Sequence, residues 1–260
     1  MSNAVWAIGG MAHFGPAVAD ALGWPLYIDI PVGDCDTVLM IGLYDPPNYD
    51  FSLSCTARAK KRVILWCGRD ATFLSRPDLL PDAVHLSVLP EYSRRLAERG
   101  ITAPVVGMPM SHTREMTPLP DKPSVACYLG AVGNGRRYGA QMVRALAESL
   151  PDVHFDVYTL DADRAALDGI MARTTVQLQV GETNGGSSCS LAMMAGRRCV
   201  TTNDMPYATV VPRDDFLATL TALNAALAHT ELDTEASAYW REYVSVAAWK
   251  QRLADAGVPL

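Results

Sequence analysis

The chain has 260 residues, 49% of them hydrophobic and 19% charged, with a formal net charge of −6. That balance excludes a disordered chain, and the acidic sign argues against a protein whose whole surface grips nucleic acid. Every long apolar run is broken by charge, Pro or Gly before it reaches bilayer-spanning length, and the start MSNAVWAIGG lacks a basic signal-peptide region, so a cytoplasmic protein is expected.

Short β-branched runs alternate with amphipathic stretches, the pattern of parallel α/β architecture. In the first half, strands are predicted at Val5–Ile8, Leu26–Ile30, Thr37–Ile41, Arg62–Trp66, Val84–Ser87 and Val105–Gly107. Helices are predicted near His13–Leu22, Phe51–Ala59 and Glu91–Arg99. In the last of these, Tyr92 and Leu96 stand at i, i+4 spacing, and Gly100 falls where a C-terminal cap belongs. Met108–Lys122 holds three prolines and no periodicity, which marks a linker. The second half restarts the pattern, with strands at Val125–Leu129, Phe155–Thr159, Val176–Val180 and Arg198–Thr201. Helices are predicted at Tyr138–Ser149, Arg164–Met171, Ser190–Ala195 and Asp214–Ala228, and the tail Ala236–Ala256 reads as one more helix with an aromatic face. Six scattered cysteines without a CxxC pair suggest buried thiols in a reducing compartment, not disulfides or a metal site.

In open parallel sheets, ligands sit at the carboxyl ends of the strands, where loops run into helix N-termini that suit phosphates. One such loop is Gly130–Arg137, where Gly133 allows close approach and Arg136 and Arg137 offer guanidinium forks for phosphate oxygens. It lacks the closing GK[ST] of a P-loop. A second is Gly181–Ser188, in which Gly185, Gly186, Ser187 and Ser188 suit an amide nest for a diphosphate and a serine caps the following helix. Glu182 beside that nest accepts but cannot donate, which suits sugar hydroxyls better than phosphate. A third loop, Thr201–Pro206, is expected to line the same site.

Read in order, these pieces resemble the donor-binding domain of GT-B glycosyltransferases, especially the retaining family 4 type. The run YLGAVGNGRR resembles that family's opening strand, glycine loop and basic residue, and GETNGGSSCSLAMMAGRRCVTTND resembles its acidic residue, Gly-rich turn, helix and strand. ILWCGRD and HLSVLPEYSRRLAERGITAPVVGMP resemble segments of the N-terminal domain, and the aromatic tail resembles the C-terminal helix that crosses back to it. The family's second acid, seven residues on, has no counterpart: the position falls at Ser190 or Leu191.

The resemblance implies an α/β fold of two Rossmann-like domains facing a cleft: residues 1–112 on the acceptor side, 123–230 holding the nucleotide sugar, and a helical tail, 236–260, on the first domain. It implies sugar transfer from a nucleoside-diphosphate donor, with a UDP-sugar expected as substrate and no further cofactor or metal. Arg136, Arg137 and the amides of residues 185–188 would stabilise the leaving diphosphate, and Glu182 would read the sugar. His13, after the first strand, and Asp70, in the Trp66–Asp70 run, are candidates for acceptor contact or base, against the bland readings of a structural histidine and a helix cap. Arg58, Lys60, Lys61 and Arg62 form a solvated face or a guide for an anionic acceptor such as DNA. The acceptor stays open among a saccharide, a lipid-linked glycan and a hydroxymethylated DNA base. Two further readings are a non-catalytic nucleotide-sugar-binding protein, suggested by the missing acid, and a sugar-nucleotide epimerase.

Overall fold

The structure, a computed structural model, describes residues 2–43, 48–68, 82–110, 114–130, 133, 135–159, 164–181 and 186–260. The chain divides into two compact units: Met1–His112 with Tyr243–Leu260, and Thr113–Glu242. Each has its own five-stranded sheet, so no single sheet runs through both halves.

The first unit comprises β1 (Asn3–Ala7), α1 (Gly15–Leu22), β2 (Leu26–Ile28), β3 (Cys35–Ile41), α2 (Asn48–Cys55), β4 (Ala59–Trp66), β5 (Val84–Ser87) and α3 (Pro90–Ala97). Its strands run parallel in the order β2-β1-β3-β4-β5. Val38 to Ile41 and Val63 to Trp66 are wholly buried, as strands covered on both faces must be. The strand expected at Val105–Gly107 shrinks to one parallel bridge, Ser87 to Val105. Pro104 cannot donate to a ladder, and Gly107 turns left-handed at φ +69, passing the Tyr243 ring where a Cβ would lie 2.6 Å away.

The second unit comprises β6 (Ser124–Tyr128), α4 (Ala140–Ser149), β7 (His154–Tyr158), α5 (Arg164–Ala172), β8 (Val176–Gln179), α6 (Ser187–Met194), β9 (Arg198–Thr201), β10 (Thr209–Val210), α7 (Phe216–Leu227) and most of α8 (Thr234–Tyr243). The parallel order β10-β9-β8-β6-β7 repeats that of the first unit. Side chains alternate between its faces. Val125 and Cys127 pack with Val143 and Leu146 of α4 and Leu223 and Ala226 of α7. Ala126 packs on the other face with Ile170 and Met171 of α5 and Ala192 of α6.

Arg197 is fully buried and donates to the Thr117 carbonyl and hydroxyl, both at 2.7 Å, and to the Pro118 carbonyl at 3.0 Å. It fastens the expected linker segment to the second unit. The tail forms two helices instead of one, because the Ser245 hydroxyl accepts from the Ala248 N–H at 3.2 Å and starts α9 (Val246–Asp255) anew. α9 belongs to the first unit: Trp249 and Leu253 are buried, and Arg252 donates to the Val106 carbonyl at 2.8 Å. Among the described residues, no helix is long and apolar enough to cross a membrane.

Candidate functional site

In the second unit the sheet builds outward in opposite directions from β6 and β8, so their carboxyl ends flank a topological switch point. The loops leaving these two strands touch there, backbone against backbone. A Cβ on Gly139, which sits at φ +79, would lie 1.8 Å from the Val180 carbonyl oxygen, and one on Gly181 would lie 2.8 Å from the Arg137 carbonyl oxygen. The third loop is stitched on by Thr202, whose hydroxyl donates to the Gly181 carbonyl at 3.0 Å.

Two cavities open at this edge. The larger, about 630 Å³, is lined by Arg136, Arg137, Gly181, Thr202, Gln141 and Met142 from the start of α4, and Thr219 from α7. The smaller, about 110 Å³, lies on the other sheet face and is apolar: Tyr128, Tyr158, Leu167, Met171 and Leu191 line it with Ser187 and Ser188. Its two tyrosine rings lie 5.5 Å apart. Arg114 also lines it, paired with Asp168 at 2.6 Å. The arginines and serines expected to share one phosphate site are therefore brought to the same sheet edge but line separate cavities.

The expected serine cap is absent. The N-cap of α6 is Gly186, left-handed at φ +69, and no side chain among the described residues caps the helix. The Ser188 and Ser190 hydroxyls are used elsewhere: Ser188 donates to Gln179 Oε1 at 2.7 Å, and Ser190 to the Gly186 carbonyl at 3.1 Å. The helix thus also begins earlier than Ser190, at Ser187. An uncapped first turn leaves amide groups and partial positive charge for an anion.

Motif reading missed the supports beneath this helix. Gln177 and Gln179 are buried in β8; Gln179 Oε1 also takes the Cys189 thiol at 2.9 Å, and Gln177 Oε1 takes the Tyr158 hydroxyl at 3.2 Å. Burial pushes the Tyr158 hydroxyl well above the usual phenol range, so it stays a neutral donor. The signal was available: two amides at period 2 inside the apolar run VQLQV belong to one strand face.

Of the remaining candidates, Gly133 is exposed and left-handed at φ +87, with none of the described residues on its Cβ side. His13 lies in the first unit between β1 and α1, exposed, its ring 3.9 Å from that of Phe14, and partial burial lowers its pKa. Asp70, Glu182 and Gly185 lie outside the described residues. The basic run is largely engaged within its own unit. Arg58 binds Asp34 through two hydrogen bonds of 2.8 and 2.5 Å, Lys60 binds Asp36 at 2.8 Å, and Lys61 donates to the Gly257 carbonyl at 2.9 Å. Arg62 donates to the Thr56 hydroxyl at 3.3 Å. A DNA face gains no support from four side chains so occupied. All six cysteines are buried and none is in a disulfide, and no group of three or more metal-ligating side chains occurs among the described residues.

No protein-family model matches the sequence, and no curated protein matches it. Solved structures do match the fold. TarM of S. aureus, in complex with fondaparinux, alpha-GlcNAc-glycerol and UDP, superposes with a TM-score of 0.60 at 8% identity, over 84% of this chain and 55% of TarM. The chain thus spans about half of TarM's length. An alpha,alpha-trehalose 6-phosphate synthase from Burkholderia multivorans gives 0.57 at 9% identity, over 85% of this chain and 70% of its own. OtsA gives 0.56 at 13%, over 88% and 74%. These are GT-B glycosyltransferases, and the chain has their type of fold, with two Rossmann-like domains.

Proposed function

We propose that this chain is a glycosyltransferase that moves a sugar from a nucleoside-diphosphate donor, a UDP-sugar first among them, to a hydroxyl acceptor. The observation that carries the reading is the N-terminus of α6 at the switch point, without a side-chain cap among the described residues and with the aromatic cavity against its first turn, while the Arg136–Arg137 loop packs on Val180 and Gly181 at the end of β8. A planar base suits the two-tyrosine cavity. A diphosphate suits the amides of the helix terminus and the guanidinium groups. The UDP in the TarM complex supports the same donor class.

In the reaction, the bond between the anomeric carbon and the donor's phosphate oxygen breaks, and the diphosphate leaves with the electron pair. The acceptor oxygen bonds the anomeric carbon and gives its proton to a nearby base. Arg136, Arg137 and the α6 amides neutralise the leaving diphosphate, so the reading requires no metal. Glu182 reads donor-sugar hydroxyls, and His13 and Asp70 are the candidates on the acceptor side.

Release of UDP from a panel of UDP-sugars, with and without hydroxyl acceptors, tests this. Glu182→Gln is expected to slow release roughly tenfold to over a hundredfold, from about 1.5–3 kcal/mol of lost charge-assisted bonding, while leaving UDP affinity unchanged. No release above the uncatalysed level with any donor, or wild-type turnover by Glu182→Gln, contradicts the assignment.

A further inference from the structure

The larger cavity has a wall that none of the loop motifs reveals. Pro212, Arg213 and Asp214, between β10 and α7, line it together with Arg136 and Arg137. The position of this wall is fixed locally. Asp215 caps α7, its Oδ1 accepting from the Ala218 N–H at 2.9 Å, and the Thr219 hydroxyl donates to the Asp215 carbonyl at 2.7 Å. Asp214 sits at φ +60, a left-handed conformation that a side chain bearing a Cβ disfavours. The chain therefore turns sharply just before a firmly capped helix, and the turn puts Arg213 and Asp214 at an exposed cavity rim.

Among the described residues that line this cavity, three carry guanidinium groups and one a carboxylate, a formal sum of two positive charges. The diphosphate that bridges a nucleoside to a sugar is a dianion. At about 630 Å³ the cavity is also in the size range of a ligand site, not a single-ion niche. We infer that Arg213 is a third phosphate-binding arginine of the donor site, reaching the diphosphate from a loop separate from that of Arg136 and Arg137, with Asp214 accepting a hydrogen bond from a ligand hydroxyl. The inference rests on the donor-site reading for the identity of the ligand, but not for the presence of an oligophosphate site. Because the three guanidinium groups come from two separate loops, the site favours an anion long enough to reach both, a diphosphate over a monophosphate.

Calorimetric titration of the intact chain with inorganic pyrophosphate, UDP and uridine tests it, with thermal melting to confirm folding of each variant. Arg213→Ala is expected to weaken pyrophosphate and UDP tenfold or more and uridine less than twofold. Arg213→Lys should recover only part of the loss, since an ammonium cannot supply the fork. Pyrophosphate bound as tightly by Arg213→Ala as by wild type overturns the inference, as does no saturable pyrophosphate binding by wild type. If pyrophosphate binds in an Arg213-dependent way but UDP and uridine do not bind, the arginine site stands and the nucleotide-sugar reading falls. If UDP binds equally to wild type and Arg213→Ala, the inference falls and the reading stands.

Discussion

Arg136 and Arg137 are exposed on a loop held in place by glycine contacts, so their removal should not disturb the fold. A guanidinium acts mainly on charged oxygens. Arg136→Ala and Arg137→Ala are therefore expected to cost about 1.5–3 kcal/mol in UDP binding and little in uridine binding. Equal losses for both ligands by calorimetry would remove them from the diphosphate. These residues were legible in the sequence because arginines following a glycine loop stand out. Gln177 and Gln179 carry no such motif; their period-2 spacing in VQLQV puts them on one strand face, and their burial and partners show their part. Gln179→Leu leaves the Ser188 hydroxyl and the Cys189 thiol without their acceptor, an expected loss of about 1–3 kcal/mol in chemical denaturation. A second residue-scale expectation concerns pH. The Arg173 guanidinium, bonded to Asp156 at 2.7 and 2.9 Å, lowers that carboxyl below its ordinary value of 3.8 despite an opposing contribution from burial. A carboxyl with a depressed folded pKa stabilises above its unfolded pKa and loses that contribution as pH falls through the folded one. Arg173 is half exposed, so the pair is worth no more than about 1 kcal/mol. The gap in melting temperature between wild type and Asp156→Asn should be present at neutral pH and close below pH 3.8. A gap that persists there would contradict the linkage.

At the scale of elements, the close approach of two loops is the feature on which the site depends. Gly139→Ala places a methyl 1.8 Å from the Val180 carbonyl oxygen and strains a backbone at φ +79. Backbone cannot yield as a flexible side chain can, so the loops must part. The expected outcome is about 1–3 kcal/mol of lost stability together with weakened UDP binding. Intact UDP affinity in a destabilised Gly139→Ala would show that loop contact does not shape the site. The strands Val84–Ser87 and Arg198–Thr201 were readable to the residue, because short apolar runs bounded by loops leave little choice of register. β10 was not, since its two residues are exposed and too few to show alternation. The tail misled for a different reason: helix-forming residues flank Ser245 on both sides, and its capping role depends on chain direction that a periodicity count does not see.

At the scale of the molecule, the chain builds one unit, builds the second with the same strand order, and returns to finish the first. Repetition of β–α alternation made two Rossmann-like halves legible from sequence, whereas the order of strands within each sheet depends on long-range pairing that local pattern does not encode. The return segment is structural to the first unit. Trp249 is fully buried on α9, so Trp249→Ala is expected to cost about 3–5 kcal/mol, read as a lowered denaturation midpoint of the first unit. An unchanged midpoint would mean that α9 contributes nothing to that unit. The central claim, a nucleotide-sugar site in the second unit, is tested most directly by thermal shift of the intact chain against UDP-sugars, UDP and uridine. A ligand that binds only the folded state stabilises it by about 2.7 kcal/mol at a hundredfold excess over its Kd. A saturable rise in Tm with the diphosphate-bearing ligands, lost in Arg137→Ala and small with uridine, is the predicted result; no shift across the panel, or shifts indifferent to Arg137→Ala, would contradict it.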